Sequence, residues 1–343
     1  MTLRIVTAEP LNAEAPLTAL AAPLTSVEDF YVRSNFPAPD IDPQHWSLRV
    51  HGQVRAPVEL NLEEVRALPN LTKRVTLECA GNGRRLMTPT PRGTAWELGA
   101  AGTADFTGTP LREVLALTEP EPDAVECVFT GADGGTVEGH GAVSFQRSLT
   151  IQHAGSGEPL IAWAMNGAPL TRDHGSPVRL VVPRFYAVAS VKWLVDVEVV
   201  DHPFRGHFQA DRYVYRGPGV PEHPVTTMRV RSLITSHTDG QRVPDGRVLL
   251  AGVAWSGEAA VARLRVRIDR EDWQEAELEA APGTAPAAGV MTPWRCECPL
   301  DRGDHDLLVV ATDAAGNSQP LAPEWNELGY GNNVAQSIRL RSG

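Results

Sequence analysis

Eight residues past the middle of the chain, Gly217-Pro218-Gly219-Val220-Pro221-Glu222-His223-Pro224, limit the possible folds more than any other feature. Proline lacks a backbone N–H and fixes φ, so this density of proline and glycine reads as a linker. With 343 residues, the chain has room for two domains of ordinary size around that point. We expect an α+β domain over residues 1–222 and an all-β domain over 223–343.

Before the linker, residues 1 to about 45 are rich in proline and alanine, and residues 1–24 are expected to be extended or mobile. From Trp46 to Val200 short strands and short helices alternate. Trp46–Val50 alternates like a strand, and Leu62–Leu68 has helical spacing, with Asn61 as N-cap and Pro69 as stop. Arg74–Leu77 reads as a strand running into Cys79, Leu111–Leu115 as a helix, and Val178–Pro183 and Val191–Val200 as strands. After the linker, turn signals separate the candidate strands Arg247–Ala251, Arg263–Ile268, Glu275–Leu278 and His305–Ala311. In Arg263–Ile268 basic and apolar residues alternate, as on a strand with one face in water. This density of strands in roughly a hundred residues is that of an immunoglobulin-like sandwich.

A net charge of -11 argues against a nucleic-acid binder, and an anionic substrate would need local arginines to reverse the field. No apolar run approaches a membrane span. Pro16–Leu24 is too short and lacks the basic flank of a signal peptide, so a cytoplasmic location is expected, or a periplasmic one if a leader precedes this sequence. Cys79, Cys127, Cys296 and Cys298 form no disulfide framework and no C-x-x-C pair. Cys127 lies in the strand-like run Val125–Phe129 and reads as a buried thiol. Cys296 and Cys298 would share one face of a strand, with no partner ligands at zinc spacing.

Three segments carry chemistry. In Thr76-Leu77-Glu78-Cys79-Ala80-Gly81-Asn82-Gly83-Arg84-Arg85 a strand ends at a cysteine, small residues permit close approach of a bulky ligand, and two arginines favour the thiolate. The bland alternative is a structural cysteine beside a tight turn. In Thr171–Arg179, His174 and Arg179 are placed to reach a phosphate, or the segment is a surface turn. In Ser190-Val191-Lys192-Trp193-Leu194, Lys192 sits in an apolar strand and either meets a phosphate or snorkels from an edge.

The run Cys79-Ala80-Gly81-Asn82-Gly83-Arg84 resembles the cysteine motif of the sulfite oxidase family of molybdopterin-dependent oxidoreductases, of the haem-free bacterial type. Pro91–Trp96, Ala164–Leu170, Arg172–Gly175, Val191–Leu194 and Pro323–Asn326 are similar to further family segments, in family order. The resemblance implies molybdenum bound by one molybdopterin and by Cys79. It implies that Tyr31, Val32, Arg33, Ser34 and Asn35 line the pterin together with Asp133, His174, Arg179, Ser190, Val191 and Lys192. It further implies that Arg33, Arg84 and Tyr215 face a small anionic substrate, with Trp96 nearby. The implied reaction is oxygen-atom transfer that oxidises sulfite to sulfate, with an external electron acceptor, and the implied assembly is a homodimer joined through the immunoglobulin-like domain.

The chain departs from the family pattern at four places. Asn35 stands for a pocket histidine, Gly83 for an arginine, Val214 for an aspartate, and Leu328 for an arginine of animal members. Fewer cations surround the implied anion site. The alternatives are therefore a molybdenum reductase of sulfoxides or another oxyanion, and a non-catalytic cofactor-binding member of the family.

Overall fold

The computed structural model describes residues 2–279 and 285–343. Strands dominate, and the α-helices among the described residues are three short ones, Leu62–Ala67, Leu111–Thr118 and Ile151–Ala154. The first shows how local sequence sets an element. Asn61 accepts hydrogen bonds from the backbone N–H groups of Glu63 and Glu64, the Glu64 carboxylate accepts from Asn61 N, and the helix stops before Pro69. None of these helices, and no other among the described residues, is long and apolar enough to cross a membrane.

Two five-stranded sheets build the first region. One runs, in spatial order, Val58–Asn61, Ser47–Gly52, Leu194–Val200, Glu126–Val137 and Gly141–Thr150. The other runs Ala168–Pro169, Leu160–Met165, Ala101–Pro110 and Leu71–Glu78, with Arg179–Val181 also paired to Leu160–Met165. The beginning of the chain is tied down: Arg4–Thr7 pairs with Asn12–Glu14, which pairs with Val32–Arg33, and Asn12, Ala13 and Glu14 are buried. Cys127 is fully buried in strand Glu126–Val137, and burial pushes its thiol up to about 12.

Two assignments need correction. The stretch expected as a linker is half of a hairpin, in which Val214–Gly217 pairs with Val220–Pro224. Its prolines fit because only one partner strand has to be satisfied. Lys192 lies in an irregular turn, not a strand, and regular pairing starts at Leu194 after Trp193 adopts φ 51°.

The last region is two sheets around one apolar core. The first has the order Arg231–Ile234, Gly246–Trp255, Thr292–Leu300, Glu277–Leu278. The second has Gln241–Val243, Gln336–Ser342, Gly303–Asp313, Val261–Ile268, Gln274–Glu275. Leu264, Val266 and Ile268 point into that core, as their alternation with arginine requires. Cys296 and Cys298 face it too, with their sulfurs 3.6 Å apart, and join no group of three metal-binding side chains among the described residues. A second apolar cluster joins the regions, since Leu233, Val253 and Trp255 pack with Leu48, Phe129, Ile161 and Leu180.

Candidate active site

Strand Leu71–Glu78 delivers Cys79 to the floor of a cavity. The ladder carries one step past the strand, because Cys79 N donates to Ala100 O at 2.9 Å. The chain then turns, with Asn82 N donating back to Cys79 O. The sequence reading assigned the small residues after Cys79 to a bulky ligand. In the structure Gly81 makes room for Arg84, since a Cβ there would stand 2.7 Å from both terminal guanidinium nitrogens. Burial holds the Cys79 thiol above its ordinary pKa, and the opposing charges of Arg33 and Arg84 do not overcome it. The arginines alone therefore do not make Cys79 a thiolate, and a bound cation is what would displace the proton.

The cavity gathers Tyr31, Arg33, Ser34, Asn35, Asp133, His174, Arg179, Ser190 and Lys192 around Cys79. They arrive from separate stretches of chain. Arg33 ends its short strand and donates to Asn12 Oδ1 at 3.1 Å, Asn35 Oδ1 at 2.5 Å and the Tyr213 hydroxyl at 3.1 Å. Gly175, at φ +100°, lets the turn after His174 fold against Arg179 and Lys192; a Cβ there would meet both at 3.1 Å. Arg179 donates to the carbonyls of His174 and Ser190, at 3.0 and 3.1 Å. Lys192 Nζ donates to Ser34 Oγ at 3.0 Å and to Asp173 O at 2.8 Å.

Electrostatics give this cluster its meaning. Among the described residues, Arg33, Arg179 and Lys192 form no carboxylate ion pair within 4.0 Å, although all three line one cavity. Desolvation, with Arg179 adding to it, lowers Lys192 to about 7, and desolvation lowers Arg179 to about 10. Burial, followed by the charges of Arg179 and Lys192, lowers His174 to about 4. Asp133 is raised to about 6 by burial, and its Oδ1 has no hydrogen-bond partner. The three cations outnumber the carboxylates of Asp133, whose Oδ1 is orphaned, and Asp173, and this excess of positive charge is costly unless a ligand completes it. A polyanion with hydrogen-bond donors would do so, and a pterin bearing a phosphate has both.

Not every implied residue reaches the cavity. Val32 and Val191 are buried beside it and do not line it. Trp96 is fully buried in the apolar cluster that contains Cys79, and its indole nitrogen has no partner. Arg84 lies behind the floor, donating to Thr94 O at 2.7 Å and Leu328 O at 3.2 Å, with its guanidinium 5.0 Å from the Tyr330 ring centroid. Tyr215 points away, toward His223 and under Arg229. Tyr213 lines the cavity instead and stacks on Tyr330 at 4.9 Å. Tyr213 has left-handed backbone, φ 52°, and stands just before the strand Val214–Gly217 that carries Tyr215. The sequence reading also missed Tyr330 and Asn12, which reach this site from opposite ends of the chain.

A site of this kind on this fold can be compared with known proteins. Residues 35–208 match the model of an oxidoreductase molybdopterin binding domain, and residues 222–342 match that of a Mo-co oxidoreductase dimerisation domain. The mitochondrial sulfite oxidase of Rattus norvegicus is 34% identical over 363 residues, covering 99% of this chain and 65% of that protein. The chain thus spans about two thirds of that relative's length. The sulfite oxidase of Arabidopsis thaliana is 32% identical over 372 residues, covering 99% of this chain and 94% of that protein. The fold matches the crystal structure of the sulfane dehydrogenase SoxCD from Paracoccus pantotrophus, with TM-score 0.87, 24% identity, and coverage of 98% of this chain and 87% of that one. The chain therefore carries a molybdopterin-binding domain followed by a Mo-co dimerisation domain. The chain belongs to the sulfite oxidase family, whose cofactor is molybdenum held by molybdopterin.

Proposed function

We propose that this protein oxidises a small sulfur oxyanion, sulfite best of all, and passes the electrons to an external acceptor. The observation that carries the reading is Arg33. Its half-buried guanidinium shares the cavity with Cys79, and its contacts are neutral: Asn12, Asn35, the Ser34 carbonyl and the Tyr213 hydroxyl. It therefore keeps a full positive charge for an anion in a chain of net charge -11.

Cys79 is the residue we assign to the metal. Tyr31, Ser34, Asn35, Asp133, His174, Arg179, Ser190 and Lys192 would hold the pterin and its phosphate, with Val32 and Val191 contributing backbone. When bound, the cofactor supplies oxygen-atom transfer and a two-electron redox change. The chain's part is to bind and orient. Arg33 fixes the anion, the Tyr213 hydroxyl orients Arg33, and Arg84 supports Tyr330 from behind. We assign Trp96 to the packing beneath the metal ligand and leave Tyr215 outside the substrate pocket.

We divide the chain into a cofactor unit, 1–222, and a dimerisation unit, 223–343, with an immunoglobulin-like fold. The strand orders support that label. One sheet follows the A-B-E-D order, and the other follows G-F-C, with an edge strand, Gln241–Val243, parallel to the last strand. We propose a homodimer assembled through this unit, with two-fold symmetry.

A second reading has one observation behind it. Arg84 commits Nε and Nη1 to backbone carbonyls and does not line the cavity, so the pocket has one guanidinium fewer than the sequence promised. That would suit a sulfoxide and a reductase. Steady-state kinetics separate the two. Sulfite-dependent dye reduction is expected in the wild type, and Arg33→Met should raise KM for sulfite about 30-fold or more through loss of a charge-assisted contact. Turnover of a sulfoxide with a reduced dye donor, and none with sulfite, would replace this reading with the second.

A further inference from the structure

We propose that His140, His207 and Asp211 form a site for a divalent transition-metal ion, with zinc the best fit, separate from the cofactor cavity. His140 stands in the turn between strands Glu126–Val137 and Gly141–Thr150. His207 and Asp211 open and close a single turn of π-helix, His207–Asp211, so both side chains face the hairpin turn. One ligand atom from each of the three residues lies within 4.8 Å of the others.

The geometry is that of shared ligation rather than hydrogen bonding. His207 Nδ1 is 3.3 Å from Asp211 Oδ2, yet neither ring nitrogen of His207 makes a hydrogen bond. The His207 side chain is only 8% exposed, so these nitrogens are hidden from water as well. An imidazole hidden from water whose Nε2 has no partner, and whose Nδ1 meets only the Asp211 carboxylate without a well-aligned hydrogen bond, is completed by a ligand. His140 Nδ1 is 3.8 Å from the same Asp211 oxygen, and the two imidazole centroids are 4.3 Å apart. Zinc bonds of about 2.0–2.2 Å to nitrogen and oxygen place tetrahedral ligands about 3.3–3.5 Å from one another, so only a small closing movement is needed. Two neutral imidazoles and one carboxylate suit zinc better than magnesium or calcium.

The frame is rigid where it should be. Buried Arg147 donates to Phe208 O at 2.5 Å and to Val225 O at 3.1 Å, which fastens the π-turn to the hairpin. The His140 and Asp211 side chains remain 40% and 49% exposed, so an ion has a route in and water can take the fourth position. A metal here would join the hairpin tip to the turn that leads into Tyr213.

The test is equilibrium dialysis of the full-length, cofactor-loaded protein against zinc alone at micromolar concentration, with the visible spectrum of the Co(II) form. The wild type should bind one zinc per chain, and the Co(II) form should show tetrahedral bands. His140→Gln and Asp211→Asn alter exposed side chains and should fold normally, and each should weaken zinc by at least about tenfold. Cys296→Ser/Cys298→Ser should leave zinc binding unchanged. The proposal is overturned if the wild type takes up no zinc, or if both ligand variants bind it as the wild type does.

Discussion

Arg231→Leu is expected to cost about 3–5 kcal/mol of stability, the largest loss from any single substitution we consider. Arg231 opens the C-terminal sandwich, and Glu78 is the last strand residue before Cys79. Their side chains are 1% and 0% exposed, with Arg231 Nε 2.7 Å from Glu78 Oε1. The pair is not isolated. Glu78 accepts from Asn82 Nδ2 at 3.1 Å and from Trp255 Nε1 at 2.9 Å, while Arg231 Nη2 donates to the carbonyls of Asn332 and of Asn82, the latter at 3.3 Å. Deleting the arginine leaves a buried carboxylate facing neutral donors only, which costs more than the pair itself contributes. Glu78→Gln/Arg231→Leu should therefore recover part of the loss. Urea unfolding midpoints check both statements, and a single-variant loss under about 1 kcal/mol would refute the first. The same clamp holds the strand end that carries Cys79, so a destabilised Arg231 variant should also retain less cofactor.

Lys192→Met is expected to change holo and cofactor-stripped protein in opposite directions. In the holo protein it removes the cation we assign to the cofactor phosphate, and cofactor retention should fall by about 30-fold or more. In stripped protein it removes a charge that desolvation disfavours. The folded-state value of Lys192, about 7, lies below the ordinary 10.5, so between these values the unfolded chain binds more protons than the folded one. Stability of stripped wild type should therefore rise from this group as pH climbs from about 7 to 10.5, and that rise should vanish in Lys192→Met. At pH 7 the stripped variant should be at least as stable as the wild type. A stripped variant less stable than wild type at pH 7, with unchanged cofactor retention, would mean that Lys192 is structural.

Much of this was legible because local chemistry decided it. Asn61, Glu64 and Pro69 bound a helix without help from distant residues. The strand running into Cys79 follows from its β-formers Val75 and Thr76, and the sandwich core from Leu264, Val266 and Ile268. The rest depends on backbone angles and long-range partners. Trp193 at φ 51° delays the expected strand to Leu194 and leaves Lys192 in a turn lining the cavity, and Tyr213, also left-handed at φ 52°, lines the cavity where Tyr215 was expected. Neither residue type announces a positive φ. Arg84 looked like a substrate residue because its partners, the carbonyls of Thr94 and Leu328, carry no sequence signature. The Arg231–Glu78 pair spans the chain and was invisible for the same reason. The proline-rich stretch deceived in another way, since a two-stranded hairpin tolerates prolines that a central strand would not.

The central claim is that Cys79 is the protein's ligand to molybdenum, and X-ray absorption at the molybdenum edge tests it most directly. We expect molybdenum in the purified wild type, and one metal-bound sulfur fewer in Cys79→Ser, together with loss of turnover. An unchanged sulfur shell in Cys79→Ser, or a wild type that takes up no molybdenum when cofactor is supplied, would contradict the account.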